Sequence, residues 1–91
     1  MRRITTLGRL PPGSEGIILS VGSPGQSEVQ NSELIRRLLQ MGLVEGEAFE
    51  LAFDAPWSRD PIAVKVRGAI IALRRSEADL IQVQLNGEPG S

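Results

Sequence analysis

Ninety-one residues, 41% of them hydrophobic and only 3% aromatic, make one domain with room for a modest aliphatic core but not for that core plus a deep catalytic cleft. Ten Lys and Arg against eleven Asp and Glu leave a formal charge of -1, so the overall positive field that nonspecific phosphate binding draws on is missing and nucleic acid is not an expected partner. Cysteine and histidine are both absent, which removes disulfides, thiolate chemistry and imidazole together.

The start, MRRITTLGRLPPG, has two arginines but no apolar run behind them, so it predicts neither a signal peptide nor a membrane span, and a cytosolic location is expected. Ile4, Leu7 and Leu10 have the spacing of a single helical turn, and Pro11-Pro12-Gly13 forbids its continuation. A short cap over one end of the core is expected there. Gly16 to Val21 is a brief apolar run bounded by glycines and predicts the first strand. The polar run from Gly22 to Asn31 predicts a surface loop, with Asn31 or Ser32 capping the helix that follows. Leu34, Leu38 and Met41 recur at helical spacing, Ile35 and Leu39 widen the same stripe, and Arg36, Arg37 and Gln40 point elsewhere. Gly42 stands where a left-handed residue ends a helix, and Leu43 stands where a hydrophobic contact back onto the last turn falls.

Gly46 supplies a second bend, after which Phe49, Leu51 and Phe53 alternate with Glu50, Ala52 and Asp54 as a one-faced strand. The segment DAPWSRDP, with two prolines and no alternation, is an excursion between strands. Ile62, Val64 and Val66 alternate with Ala63, Lys65 and Arg67 as a half-buried strand, and Arg67-Gly68 suits a tight hairpin turn. The run from Ala69 to Leu73 is apolar on both sides, as in a central strand. Ser76 to Asp79 begins with a good N-cap and has an acid three residues on, which predicts one helical turn. Ile81, Val83 and Leu85 alternate as the last strand. Residues 86–91 contain no apolar anchor and are expected to be a disordered tail after one domain spanning residues 1–85. About five short strands, one amphipathic helix after the first and a single turn before the last describe a mainly β chain. So few residues per strand hide their edges best by curling, and an SH3-like small β-barrel is the expected architecture.

In this order the residues resemble the ferrous iron transport protein A (FeoA) family. The opening Leu-x-x-Leu-x-x-Gly is met by Leu7, Leu10 and Gly13. The arginine-rich helix and its exit are met by Arg36, Arg37, Leu38, Met41, Gly42, Leu43 and Gly46. The Ala-Pro to Asp-Pro excursion is met by Ala55, Pro56, Asp60, Pro61 and Ile62, and the closing run by Arg67, Gly68, Leu73, Arg74, Glu77, Ala78 and Ile81. Each piece is weak alone; the ordered set covers the chain from Thr5 to Leu85. In place of a compact Leu-Gly inside the excursion, this chain carries Trp57-Ser58-Arg59. The resemblance implies an SH3-like accessory or regulatory protein of bacterial ferrous iron uptake whose partner is the membrane ferrous iron permease with its cytoplasmic GTP-binding domain. A similar domain ends some metal-dependent repressors, so the alternative it implies is a stand-alone metal-responsive regulatory domain.

The chemistry favours binding over reaction. Without His or Cys, only oxygen ligands remain for iron, and Glu45, Glu47, Glu50, Asp54 and Asp60 read as solvated surface; no metal site and no cofactor are expected. No serine has a base to activate it, and Gly22 to Ser27 lacks the lysine of a phosphate loop, so no enzyme activity is expected. The candidate partner-binding residues are Trp57, Ser58, Arg59, Arg36 and Arg37. Trp57 reads equally as an exposed interface anchor or as a lid folded over one barrel end. The basic pairs Arg36-Arg37 and Arg74-Arg75 suit a carboxylate-rich partner, with plain solubility as the ordinary alternative. Gly42, Gly46 and Gly68 read as structural turns. An SH3-type reader of proline-rich peptides would need an aromatic groove that this composition hardly builds. An exposed barrel edge leaves a homo-oligomer open.

Overall fold

A computed structural model of the chain describes residues 3–22, 28–54 and 60–86. Within them the elements run β1 (Arg3–Thr6), a 3₁₀ turn (Leu7–Arg9), β2 (Glu15–Val21), α1 (Glu28–Gln40), β3 (Ala48–Asp54), β4 (Ile62–Val66), β5 (Ala69–Leu73), α2 (Arg75–Ala78) and β6 (Ile81–Leu85). All six strands join one antiparallel sheet in the order β1-β6-β2-β3-β4-β5. The architecture is mainly β, as expected, with one strand more than the alternation predicts.

That extra strand is β1. Thr5 and Thr6 are β-branched and suit a pleated backbone, and Arg3 to Thr6 pair with Leu85 to Gln82. Ile4 therefore lies in a strand with 64% of its surface exposed, while Leu7 and Leu10 alone form the expected cap and are buried. Register shifts in β2, between Ile18 and Ser20, and in β3, between Leu51 and Phe53, bend the two middle strands. Both bulges help the sheet curl over a core of Ile18, Phe49, Leu51, Ile62, Val64, Val66, Leu73, Ile81 and Val83. No polar side chain among the described residues is buried in it. At Gly16 a Cβ would lie 2.1 Å from the Gln84 carbonyl oxygen, so the side-chain-free position lets β2 and β6 close on each other.

The helix α1 starts at Glu28, earlier than a cap at Asn31 or Ser32 implies. Its end is as the sequence predicts. The Leu43 N–H donates to the Leu38 carbonyl at 3.2 Å and the Gly42 N–H to the Leu39 carbonyl at 3.1 Å, the paired bonds of a Schellman motif. Gly42 has φ +99°, and Leu38 and Leu43 on either side of it are both fully buried. Leu34 and Met41 pack partly against the core, whereas Leu39, on the widened stripe, remains 41% exposed.

Two other expectations change. The Ala69 to Leu73 strand is not central: β5 closes one side of the sheet, and Ile70 is 62% exposed. A continuous apolar run reads alike whether both faces are covered or one is left in water. The second helix begins at Arg75, not after Ser76, because one carboxylate from its own first turn and one from elsewhere satisfy its first donors. Glu77 Oε1 accepts the Arg74 N–H at 2.9 Å, and Asp60 Oδ1 accepts the Arg75 N–H at 3.0 Å.

A Cβ at residue 42 would meet only ordinary contacts at 3.9 Å, so its cost is backbone strain and not crowding. Gly42→Val is expected to lower stability by about 2 kcal/mol, roughly 10 °C in Tm, and Gly42→Asn by about half as much. Equal melting of Gly42→Val and the parent would show that the left-handed cap is not needed. The β4–β5 turn carries positive φ at both central residues, Arg67 (+53°) and Gly68 (+83°), which is the requirement of a type I′ hairpin. Asparagine tolerates the first of these positions better than arginine, so Arg67→Asn is expected to raise Tm by roughly 2–4 °C in thermal denaturation.

Candidate functional site

The helix α1 buries Leu38 and so must turn its opposite side to water, and Arg36, Arg37 and Gln40 occupy that side. Together with Glu33 and Leu34 they line a shallow recess along the helix. Arg37 Nη2 donates to Glu77 Oε2 at 2.6 Å, across forty positions of sequence. The arginine side chain is 63% exposed and the glutamate 19%, so the pair is a surface tie worth about 0.5 kcal/mol. Its value is geometric. Glu77 holds Arg37 with one oxygen and the Arg74 backbone with the other, and so brings the two basic pairs of the sequence onto one side of the molecule.

The four arginines then part in role. Arg36 and Arg74 are exposed and able to meet a partner's carboxylates. Arg37 is engaged with Glu77. Arg75 is half-buried and structural: its Nη1 donates to the Gly8 carbonyl at 2.6 Å, fastening α2 to the Leu7–Arg9 turn. Gly8 has no room for a side chain, since a Cβ would lie 2.8 Å from the Arg75 carbonyl oxygen. Gly46 has φ +90° and donates its N–H to the Ile18 carbonyl at 2.8 Å, and Gly68 completes the hairpin turn. Trp57, Ser58 and Arg59 lie outside the described residues, between the end of β3 and Asp60.

Sequence reasoning assigned no part to Glu77 as a link between helices or to Asp60 as a cap. Glu77 stands three residues after Arg74, which is a visible half of a capping box, but its contact with Arg37 has no local signal. A second depression, about 270 Å³, lies between the Pro11 to Ser14 turn and Leu85 and is lined by no aromatic ring, so it lacks the stacked walls that receive a polyproline helix. Among the described residues, no three Asp or Glu side chains gather in a way that could hold a metal ion. Among the described residues, no helix is long and apolar enough to cross a membrane.

The FeoA domain family model matches residues 5–85. No curated protein matches the chain. Among solved structures, the chain is similar to Stenotrophomonas maltophilia FeoA complexed with zinc, a procaryotic SH3 domain protein proposed to act as a ferrous iron transport activating factor. The two are 32% identical over 87% of this chain and 88% of that one, with a TM-score of 0.72. A FeoA-like protein from Clostridium acetobutylicum covers 100% of this chain and 96% of its own at 26% identity, with a TM-score of 0.79. A manganese-dependent transcriptional repressor shares the fold at a TM-score of 0.75, with 15% identity, 94% of this chain and 44% of that one. The ordered glycines, the arginine-bearing helix and the curled six-stranded sheet thus belong to one pattern, and the chain is a member of the FeoA family with its SH3-like fold.

Proposed function

We propose that this protein is a noncatalytic, cytoplasmic accessory of bacterial ferrous iron uptake that acts by binding the membrane ferrous iron permease through its cytoplasmic GTP-binding portion. The observation that carries the reading is the family match over residues 5–85, joined to a solved relative proposed as a transport activating factor. The surface supports it. An exposed basic side on α1, held in place by the Gly42 cap and the Arg37–Glu77 tie, is built to meet carboxylates on another protein. The core is fully used for packing and leaves no described cleft with an activated nucleophile or base. Trp57, Ser58 and Arg59 complete the proposed contact set, with Trp57 as its apolar anchor. Likeness to the repressor concerns the fold alone at that identity, so metal-responsive regulation ranks second.

Titration of the permease's cytoplasmic portion with this protein, with and without guanine nucleotide, is expected to show saturable binding. Absence of binding in both conditions would sink the proposal. Arg36→Glu is expected to weaken that binding about three- to tenfold without changing Tm, because Arg36 is exposed. Trp57→Ala is expected to cost about 2 kcal/mol of binding and little stability; a large fall in Tm instead would assign Trp57 to packing.

A further inference from the structure

The free side of β5 is unlike the opposite border of the sheet. Val66 and Ala69 close the two-residue turn as a hydrogen-bonded pair, so the antiparallel alternation gives Ile71 and Leu73 the ladder bonds to β4. Ile70 and Ala72 therefore direct their backbone N–H and C=O groups away from β4, and no described strand receives them. The side chains above this border are apolar and exposed, with Ile70 at 62%. Across the whole strand, from Ala69 to Leu73, there is no charge, proline or bulge of the kind that usually blunts a sheet border. Charge instead sits at both ends. Arg67 lies at the turn with its side chain 67% exposed, Arg74 follows directly after the strand and is exposed, and Lys65 faces outward opposite Ile70. Three described acids lie near these: Glu47 approaches Arg67 only to 3.9 Å, Glu50 pairs with Lys65 across β3 and β4, and Glu77 is engaged with the Arg74 N–H and with Arg37.

We infer that β5 accepts an extended segment of another protein as a seventh antiparallel strand, and that this segment is apolar in its middle and carries a carboxylate at each end. Backbone bonds to Ile70 and Ala72 supply the pairing, and Arg67 and Arg74, at either end of a five-residue strand about 16 Å long, select the flanking charges. A second copy of this chain is the poorer occupant. Antiparallel self-pairing centred on Ile70 brings Arg67 of one chain beside Leu73 and Arg74 of the other at both ends, and like charges so placed repel. The inference rests on the interaction-module reading; it shares Arg74 with the basic side of α1 and adds the β5 border to it.

The test uses a capped seven-residue peptide of alternating valine and threonine with glutamate at each end, and the same peptide with lysine at each end. Titration followed by backbone amide NMR is expected to shift and protect the Ile70 and Ala72 N–H groups with the glutamate peptide only. Arg67→Asn keeps the turn and is expected to weaken that binding about two- to threefold. Ala72→Pro, which removes an outward N–H, is expected to abolish it, and Ile70→Lys serves if the proline variant fails by circular dichroism. No binding, or equal binding of the lysine peptide, overturns the inference. So does sedimentation showing a concentration-dependent dimer that Ile70→Lys disperses, which would give the border to a second copy. Full permease binding by Ile70→Lys would remove β5 from that contact while leaving the interaction reading intact, whereas no permease binding by the parent would fail that reading and leave the peptide result to stand by itself.

Discussion

Leu38 belongs to a helix and Leu43 to the chain leaving it, yet both are wholly buried in the same core. Two side chains so close in sequence reach one interior only if the backbone doubles back between them, and the left-handed residue at Gly42 performs that reversal. Everything on the far side of α1 follows. With Leu38 fixed inward, Arg36 and Arg37 are fixed outward, and the Glu77 tether becomes reachable from α2. The interior contributes nothing chemical of its own: apart from Phe49 it is aliphatic, and none of the described residues buried in it is polar or charged. A domain of this size commits its interior to cohesion and leaves recognition to its surface.

The legible parts of the fold were those whose signal is local. Alternation at Phe49 and Leu51, at Ile62 to Val66 and at Ile81 to Leu85 marked three strands, and glycine after Met41 marked the end of the helix. What escaped was set by distant partners. Arg3 to Thr6 is a strand because β6 offers it a ladder, and three apolar residues at helical spacing hid that. The run from Ala69 to Leu73 looked central because composition records hydrophobicity and not the neighbours that cover it. Asp60 displaced the expected serine cap for the same reason, since its carboxylate reaches the Arg75 N–H from fifteen positions away, whereas Glu77 acts locally within the turn. The candidate site was legible only in part. Arg36 and Arg37 were visible as a polar side of the helix, but nothing in the sequence distinguished Arg75, which is spent on the Gly8 carbonyl, from Arg74 beside it.

Family membership and bare physics divide the account between them. The glycines on which the FeoA resemblance rests are mostly explained by backbone geometry: Gly42 caps a helix, Gly46 makes a bend at positive φ and Gly68 completes a hairpin. A solved relative only 26% identical shares the fold over the whole of this chain. The likeness to a repressor's domain at 15% identity extends the same point, since it preserves the curl of the sheet and says nothing about what the surface meets.

The first strand and the last are neighbours, and β2 lies on the other side of the same β6. During synthesis, therefore, β1 cannot complete its ladder until about seventy-five further residues have been translated and β2 until about sixty have, delays of roughly 4–15 s and 3–12 s. The nascent chain has its helix and the β2 to β5 pairings with which to begin, and β1 joins the sheet only as β6 arrives to lie between it and β2.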